Sequence, residues 1–497
     1  MGYILGIDIG TGSTKAVAVG LDYVAIESSQ RFYPTEIPLP GYSEQDPELI
    51  WKAFQQVIEE QVLHLGESPQ AISLSSAMHS LIAVNEQGGA LAPMITWADS
   101  RGTAVSERLL STPLGMELYK ETGTPVHSMS PLCKIIWLKE NEPEFFHSVY
   151  KFISIKEYIW FKLFHCFEAD HSIASCTGLM DVQGLKWSQK ALTAAGISVE
   201  RLSELVPTTY VRNDFAADGL GFLKKETPFV IGASDGCLAN LGTGAIAAGV
   251  AALTIGTSGA LRVGSHYSVL NEEAMTFSYR LDETIFINGG PVNNGGAALK
   301  WHLKNIYQKE ELSADDYTAA LEKIMAVMPG AEGLIFLPYL QGERAPIWDS
   351  KSCGTFFGMR LSHHTEHFTR AVIEGICFAL NDVLLSLVAS GQVVDQLNVS
   401  GGFVSSPVWL QIMADITGKK LVLARTEDAS AVGAAYLAVK ATGITDVYPS
   451  PVAAENTIIE PDAARHLVYQ QYFGLYKKLY MNLKGVMAEL YAMQHTA

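Results

Sequence analysis

The sequence has few features of a secreted or nucleic-acid-binding protein. Six cysteines are spread over 497 residues and form no CxxC pair, so we expect reduced thiols and no disulfide framework. Lys and Arg number 35 against 52 Asp and Glu, the formal charge is −17, and no basic stretch is present that would bind nucleic acid. The N-terminus lacks the basic segment and cleavage site of a signal peptide, which predicts a cytoplasmic protein.

Long apolar segments are scarce as well. One stretch, from Gly236 to Leu261, carries no charge and is long enough to span a bilayer. Several glycines and hydroxyl residues interrupt it, which is typical of tight loops and a buried strand. We therefore expect no association with a membrane.

Three common catalytic motifs are missing. The GSTK of residues 12–15 lacks the GxxxxGK[ST] spacing of a Walker loop, no GxGxxG opens a helix, and no HExxH occurs. A dinucleotide-binding oxidoreductase and a metalloprotease are therefore disfavoured. The HHxxH run of residues 363–367 resembles a metal cluster, but it lies at a polar helix start, where solvated capping is the simpler interpretation.

The residues that are present predict an α/β protein. The chain is 48% hydrophobic and long enough to bury two cores, so we expect two domains. Its opening indicates three meandering strands, a helix capped by Asp46 and stopped by Gly66, and a returning strand. This order is the core of ribonuclease H-like folds. The predicted strands are Tyr3–Ile9, Thr14–Val19, Tyr23–Ser29 and Ala71–Ala77.

A short repeat indicates that this unit is duplicated. Residues 254–259, TIGTSG, match residues 8–13, DIGTGS, half a chain earlier, and each segment is a Gly–hydroxyl turn between predicted strands. We therefore predict two similar domains, residues 1–245 and 246–497, flanking a cleft. The glycine-rich run from Gly242 to Gly249 would connect them and act as a hinge.

The two turns suit an enzyme that transfers phosphoryl groups. Residues 10–13 and 256–259 can each present backbone N–H groups and hydroxyls to a phosphate, and Lys15 could add a point charge. Either turn alone is also compatible with an ordinary glycine hairpin. Asp8, beside the first turn, could reach Mg²⁺ through water, although an Asp at a strand end is often only a turn residue.

A second acidic residue follows an apolar strand. Asp235 comes after several small residues, which suits a general base close to a substrate hydroxyl, but an Asp-Gly turn is the plainer interpretation. The same GASDG segment spells the GxSxG of a hydrolase, with Ser234 as nucleophile. That motif needs a helix directly after the turn, and because Gly242 and Gly244 interrupt the next stretch of chain, we disfavour it.

Taken together, these residues resemble the FGGY carbohydrate kinases of the actin/hexokinase superfamily. Met129-Ser130-Pro131 with the following Lys134, Trp137 and Glu140 resembles the first family signature, and Gly358-Met359 with His367, Phe368 and Glu374 resembles the second. GERAP at 342–346 and GGF at 401–403 occur in the family's order. The resemblance runs from residue 4 to about residue 441.

The resemblance implies a role for each candidate residue. Asp235 would be the catalytic base and Asp8 the carboxylate near Mg²⁺. The family commonly has a hydroxyl where Gly12 stands, so that contact would come from the backbone. The residues expected around ATP are Thr11, Gly12, Ser13, Lys15, Gly256, Thr257, Ser258, Gly296, Gly402 and Ser406. Those expected around the substrate are Met78, His79, Trp97, Asp99, Lys134 and Asp235.

Within the family the strongest likeness is to gluconate kinases. SSAMHS at 75–80, TWADSR at 96–101 and GGPVNNGG at 289–296 resemble that subgroup. This implies ATP-dependent phosphorylation of D-gluconate to 6-phospho-D-gluconate. Because xylulose kinases share the Met78-His79 pair, the alternatives are a xylulose or other sugar kinase and, in another class, a non-catalytic actin-like nucleotide switch, which need not keep Asp235. Dimers are common in the family, so we expect a homodimer.

Overall fold

The first half of the chain contains one large sheet and a helical insertion. The computed structural model describes residues 2–216, 218–423, 428–449 and 457–495. The strands of this half are β1 (Tyr3–Ile9), β2 (Ser13–Gly20), β3 (Ala25–Phe32), β4 (Glu44–Gln45), β5 (Ala71–Ser76), β6 (Ile82–Val84), β7 (Met94–Ile95), β8 (Lys151–Ile153), β9 (Glu168–Asp170), β10 (Met180–Asp181), β11 (Lys186–Trp187), β12 (Glu204–Val206), β13 (Val211–Arg212) and β14 (Phe229–Ser234). Its helices are α1 (Pro47–Leu65), α2 (Thr103–Leu110), α3 (Pro113–Thr122), α4 (Pro131–Asn141), α5 (Pro143–Ser148), α6 (Ile155–Phe164), α7 (His171–Ser175), α8 (Gln189–Ala195) and α9 (Asp235–Gly242).

The second half contains another large sheet and the longest helices. Its strands are β15 (Gly249–Ile255), β16 (Gly259–Ser265), β17 (Phe277–Arg280), β18 (Phe286–Val292), β19 (Ile335–Leu337), β20 (Thr355–Phe357), β21 (Val394–Ser400), β22 (Lys420–Leu423) and β23 (Ile458–Ile459). Its helices are α10 (Gly296–Tyr307), α11 (Ala314–Lys323), α12 (Thr365–Ala389), α13 (Pro407–Thr417), α14 (Ala429–Ala441) and α15 (Ala463–His495).

The two large sheets share one core topology. The first has the strand order β3-β2-β1-β5-β14, with β13 at its edge, and the second has β18-β16-β15-β21-β22, with β17 and β23 at its edges. In each sheet the leading strand pairs antiparallel with the next strand and parallel with the fourth. Both sheets are therefore ribonuclease H-like, and the duplication predicted from the repeat is confirmed.

Helix α1 forms where the sequence predicts it. The Asp46 side chain accepts a hydrogen bond from the Glu48 backbone N–H at 2.8 Å, and Pro47 occupies the first helical position. Gly66 ends the helix with a φ of 72°, a conformation that costs glycine little. The apolar face of α1 packs under the first sheet, which fixes the direction in which the chain returns to form β5.

The third strand differs from its prediction. We expected residues 23–29, but β3 runs from Ala25 to Phe32. Tyr23 lies in the preceding turn with a φ of 68°, so it cannot extend a strand. At the other end the pairing with β2 continues to Phe32, which lies opposite Ser13. The strand therefore reaches the first Gly–hydroxyl turn.

A large insertion separates the last two strands of the first sheet. Between β5 and β14 the chain builds helices α2 to α8, several short strands and an apolar core of their own. Five of the six residues expected at the substrate lie between these two strands: Met78, His79, Trp97, Asp99 and Lys134.

Helices α9 and α14 join the two halves. Each follows the fifth core strand of its sheet, and they cross where glycines let the backbones touch. A Cβ on Gly433 would lie 2.0 Å from the Leu238 carbonyl oxygen, and one on Gly242 would lie 2.1 Å from that of Ala429. Helix α14 also packs on the first sheet, where a Cβ on Gly6 would lie 1.8 Å from the Ala431 carbonyl oxygen.

The expected division at residues 245/246 falls in the turn between α9 and β15. Gly242 belongs to the packed end of α9, whereas Gly244 and Gly249 have positive φ angles of 72° and 77°. Any rotation at this connection would therefore use residues after Gly242. The domain boundary and the hinge both remain predictions.

The charge-free stretch from Gly236 to Leu261 is not one helix. It folds as most of α9, a turn, β15 and the start of β16. Helix α12 is long and apolar enough to cross a membrane by length and composition, but 83% of its most apolar window is buried inside the protein. At the start of α12 the His364 backbone N–H donates to His367 Nδ1 at 3.1 Å, which confirms the predicted capping, but His363 and His367 are buried and not solvated as expected.

The α9–α14 contact leads to a stability prediction. Gly433→Ala should lower the free energy of unfolding by about 3 kcal/mol, because the new methyl group meets backbone on a packed helix and cannot be relieved by a side-chain rotation. Thermal and urea unfolding would measure this.

Gly474→Ala in α15 is the matched control. No atom lies within 4 Å of the position that its Cβ would take, so the change should leave stability unaltered or raise it by up to about 1 kcal/mol. Equal stability of the Gly433→Ala protein and its parent would contradict the close helix contact.

Candidate active site

The first Gly–hydroxyl turn, between β1 and β2, is held from three sides. The Trp97 indole N–H donates to Thr11 Oγ1 at 2.9 Å, and Gln45 donates to the Thr11 carbonyl oxygen. Gln30 donates to Ser13 Oγ at 2.7 Å. Gly12 is exposed at the tip, and no atom lies within 4 Å of where a Cβ would be. The backbone at Gly12 is therefore free to approach a ligand.

The second turn, between β15 and β16, is built into the start of α10. Gly296 N–H donates to the Gly256 carbonyl oxygen at 2.7 Å, and Ala297 N–H donates to that of Thr257 at 3.1 Å. The Ser258 carbonyl oxygen accepts from Gly256 N–H at 2.9 Å, which closes the turn. A Cβ on Gly295 would lie 2.5 Å from this oxygen, so glycine is required there.

A cavity of about 1100 Å³ opens beside the second turn. It is large enough for a nucleotide. Five of the residues predicted around ATP line this cavity: Gly256, Thr257, Gly296, Gly402 and Ser406. Ser258 is not among the lining residues. Sequence reasoning missed the larger side chains of its wall, among them Lys300, Trp301, Tyr317, Met325 and Phe403. Their spacing on helices does not distinguish them from core residues.

Asp8 lies on β1 directly before the first turn. Its Oδ1 accepts a hydrogen bond from Ser75 Oγ at 2.7 Å, while Oδ2 has no hydrogen-bond partner among the described residues. Burial raises the pKa of Asp8, and the Ser75 hydrogen bond and the Lys15 charge offset this in part. A desolvated carboxylate with one free oxygen fits a hydrated divalent cation.

Lys15 bridges the two halves of the chain. Its ammonium group forms an ion pair with Asp428, which precedes α14. In this arrangement the charge lies between the halves and does not extend freely toward a phosphate. A direct contact between Lys15 and ATP stays a prediction.

Asp235 is the first residue of α9, directly after β14. Burial and the neighbouring Asp8 charge raise the pKa of Asp235 to about 7, and Arg262 opposes this rise. Its Oδ1 accepts a hydrogen bond from Gly236 N–H at 2.6 Å. The carboxyl group is thus poised to take up a proton near neutral pH, which is the property a general base needs.

One premise about this segment was wrong. A helix does follow Ser234 directly, as a nucleophile elbow requires, because Gly242 ends α9 instead of preventing it. The Ser234 hydroxyl is buried and accepts a hydrogen bond from Ser172 Oγ at 3.1 Å. It therefore lacks the exposed position of a hydrolase nucleophile.

One ring nitrogen of the buried His79 is available as a hydrogen-bond acceptor. Its Nδ1 faces the Cys176 carbonyl oxygen at 2.7 Å and must donate to it. Burial, together with the charge of Lys134, lowers the pKa of His79 to about 3, so the ring is neutral and Nε2 can accept. The Lys134 ammonium group donates to the His79 carbonyl oxygen, which makes it a support for the backbone at this point.

Asp99 is placed differently from the other expected substrate residues. Both of its carboxylate oxygens are engaged, with the Arg101 guanidinium and with the Ser43 backbone N–H at 2.8 Å. Only 1% of Asp99 is exposed. The geometry supports an anchoring role for Asp99 and gives no support to a direct substrate contact.

Sequence reasoning missed two arginines at the cleft. Arg344 belongs to the GERAP segment, and its guanidinium lies 4.9 Å from the centre of the Trp97 ring. Arg262, on β16, is close enough to Asp235 to affect its pKa. Arg344 lies within a motif that carries the family resemblance, but no role was assigned to it from the sequence. Arg262 is an isolated arginine on an apolar strand and carries no sequence signal of its own, so only the fold brings the two to notice.

Comparison with known proteins identifies the chain at the level of its family. Sequence models of the FGGY family of carbohydrate kinases match both halves, the N-terminal domain over residues 3–242 and the C-terminal domain over residues 251–442. The chain belongs to the FGGY family of carbohydrate kinases. It is therefore an ATP-dependent sugar kinase rather than a non-catalytic nucleotide switch.

Individual relatives agree with this assignment. The kinase is 41% identical over 459 residues to a gluconokinase of Bacillus subtilis (strain 168), covering 90% of this chain and 89% of the relative. A solved gluconate kinase from Lactobacillus acidophilus matches with a TM-score of 0.93 and 32% identity, covering 98% and 99% of the two chains. A ligand-bound xylulose kinase from the same organism also matches with a TM-score of 0.93 and 32% identity, covering 99% and 100%.

The pKa of Asp235 predicts how the activity of this kinase depends on pH. If Asp235 is the base, only its deprotonated form is active, so kcat/KM for the sugar should rise with pH through about 7 and then level off. A pH series at saturating ATP measures the acidic limb. A profile that is flat between pH values well below and well above 7 would contradict the assignment.

Proposed function

We propose that this kinase transfers the γ-phosphate of ATP to D-gluconate and forms 6-phospho-D-gluconate, with Asp235 as general base. The observation that carries the proposal is the desolvated Asp235 carboxylate, which lies close enough to Asp8 at the first turn for the Asp8 charge to raise its pKa, with Met78 packed beside the neighbouring Gly236. The 41% identity to a gluconokinase supports gluconate as the acceptor.

Each of the two turns would bind a different part of ATP. The cavity beside Gly256 and Thr257 would hold the nucleoside and its nearer phosphates in the second half of the chain. The backbone at Gly12 and the Ser13 hydroxyl would meet the terminal phosphate from the first half. Together they would place the phosphate in line with a hydroxyl bound near Asp235.

Asp235 would remove the proton from the attacking hydroxyl. Its proton affinity near neutral pH suits this step, because a carboxylate of ordinary pKa would be a weaker base. The Nε2 atom of His79 would accept a hydrogen bond from another substrate hydroxyl. Met78, which lies beside Gly236, would pack against the carbon chain.

Asp8 is the residue that would hold Mg²⁺, through water, on its free oxygen. When bound, Mg²⁺ supplies positive charge that offsets the charge of the phosphates. Positive charge near Asp8 also reduces its effect on Asp235. The ion pair of Lys15 with Asp428 then serves to keep the first turn in register with α14.

Xylulose is the second candidate acceptor. The ligand-bound xylulose kinase matches the fold as well as the gluconate kinase does, so fold similarity does not separate the two substrates. A cytoplasmic location and a homodimeric state are further proposals. Light scattering coupled to size-exclusion chromatography tests the oligomeric state.

Asp235→Asn tests the base and the substrate together. In a coupled ADP assay with gluconate, xylulose, ribulose and glycerol, we expect the parent protein to be most active on gluconate. The substitution should lower kcat at least roughly 10²-fold, because the amide cannot accept the proton.

Asp446→Asn is the matched control, since Asp446 is exposed and outside the cleft. It should retain parental turnover. Turnover of the Asp235→Asn protein within about threefold of the parent would rule out the base, and a parent most active on xylulose would rule out gluconate.

A further inference from the structure

The guanidinium of Arg262 lies in the cleft without a carboxylate partner. Its side chain extends from β16 toward the start of α9, and its Nε atom is buried and has no hydrogen-bond partner among the described residues. Asp235 is near, yet no ion pair joins the two in the described part of the chain. A buried donor without an acceptor is costly, so the position calls for a ligand that accepts hydrogen bonds.

Gly236 leaves the room that Arg262 occupies. A Cβ on Gly236 would lie 3.0 Å from Arg262 Nε and 3.1 Å from Met78 Cε. The position is helical and has no positive φ, so the backbone does not require glycine there. Glycine is a poorer helix former than alanine. Its presence is explained by the space it leaves for the guanidinium.

Arg344 brings a second guanidinium to the same place. It is held by Asn293 Oδ1, which accepts from its Nε at 2.7 Å, and by the Trp97 ring. Burial lowers the pKa of Arg344 to about 10, and the neighbouring Arg262 charge acts in the same direction. The Glu343 carboxylate opposes part of this fall in the pKa of Arg344, but its oxygens accept hydrogen bonds from the Asn293 backbone N–H and the Asn294 side chain, and none from the Arg344 guanidinium among the described residues.

We propose that Arg262, assisted by Arg344, receives the carboxylate of a sugar acid whose far hydroxyl faces Asp235, and that Arg262 selects acids over neutral sugars. The inference rests on the proposed function and names the group that makes gluconate the acceptor. An anion would neutralise two desolvated guanidiniums and supply the missing acceptor. A neutral polyol would bring no negative charge to either guanidinium, so it would bind more weakly.

The terminal phosphate of ATP is the other anion that could reach this pair. The two sources differ in a measurable way. If Arg262 binds the carboxylate, its loss lowers the affinity for the sugar acid alone. If it binds the phosphate, its loss lowers kcat/KM for every sugar by the same factor and raises KM for ATP.

The test compares D-gluconate with D-glucitol, which has a CH₂OH group in place of the carboxylate. Calorimetry without nucleotide gives the Kd of each ligand for the parent and for Arg262→Met. We expect the parent to prefer gluconate, and Arg262→Met to raise the Kd of gluconate at least tenfold while that of glucitol changes by less than about threefold. Arg262→Lys should keep part of the preference because it keeps the charge.

Turnover provides the second readout. It is measured well above pH 7, because removing Arg262 also raises the pKa of Asp235. The ratio of kcat/KM for gluconate to that for a neutral sugar cancels this effect and should fall in Arg262→Met. Arg108→Met, at an exposed arginine paired with Glu140, is the control and should leave the ratio unchanged.

The outcomes separate the inference from the proposed function. A parent that turns over xylulose and not gluconate overturns the proposed function. A parent that turns over gluconate but binds glucitol equally well overturns the inference alone. If Arg262→Met lowers kcat/KM for the acid and for the neutral sugar by the same factor and raises KM for ATP, the arginine binds the phosphate. That result also overturns the inference.

Discussion

The contact between α9 and α14 is the constraint on which the active site depends. Asp235 opens α9, and Asp428, the partner of Lys15, immediately precedes α14. Because Gly242 and Gly433 allow the two backbones to touch, Asp235, the first turn and the second half of the chain are held in one arrangement. A looser crossing would let Asp235 move relative to the phosphates, and positioning is most of what a kinase supplies.

Local charge in the cleft is opposite to the charge of the whole protein. The chain carries a formal charge of −17, yet two cations, Arg344 and Lys134, are buried near His79, and Arg262 is half-buried beside Asp235. Desolvation of these groups is costly, as the lowered pKa of each indicates. Such a cost is expected where a protein must bind an anion, because water is then replaced by the ligand.

Asp8 and Asp235 are neighbouring acids with different surroundings. Asp8 lies near the end of β1 and Asp235 directly after β14, another strand of the same sheet, and the Asp8 charge raises the pKa of Asp235. The roles proposed for the two carboxylates differ because their neighbours differ. Asp8 has a hydroxyl partner in Ser75 and a cation in Lys15, whereas Asp235 accepts a hydrogen bond from the Gly236 N–H and lies near Arg262.

The sequence by itself determined the duplicated fold, the two turns and the position of Asp235, because strand periodicity, helix caps and Gly–hydroxyl turns are local patterns. It did not determine that α9 follows Ser234 without a break, that Asp99 is occupied by Arg101, or that Arg262 reaches Asp235. Only the tertiary structure decided these. The Asp99–Arg101 pair is local, but its partners Ser43 and Glu44 come from an earlier part of the chain, and Arg262 reaches Asp235 from the second half. Helix α9 is packed against α14, which lies much later in the sequence, so its continuity depends on the assembled fold.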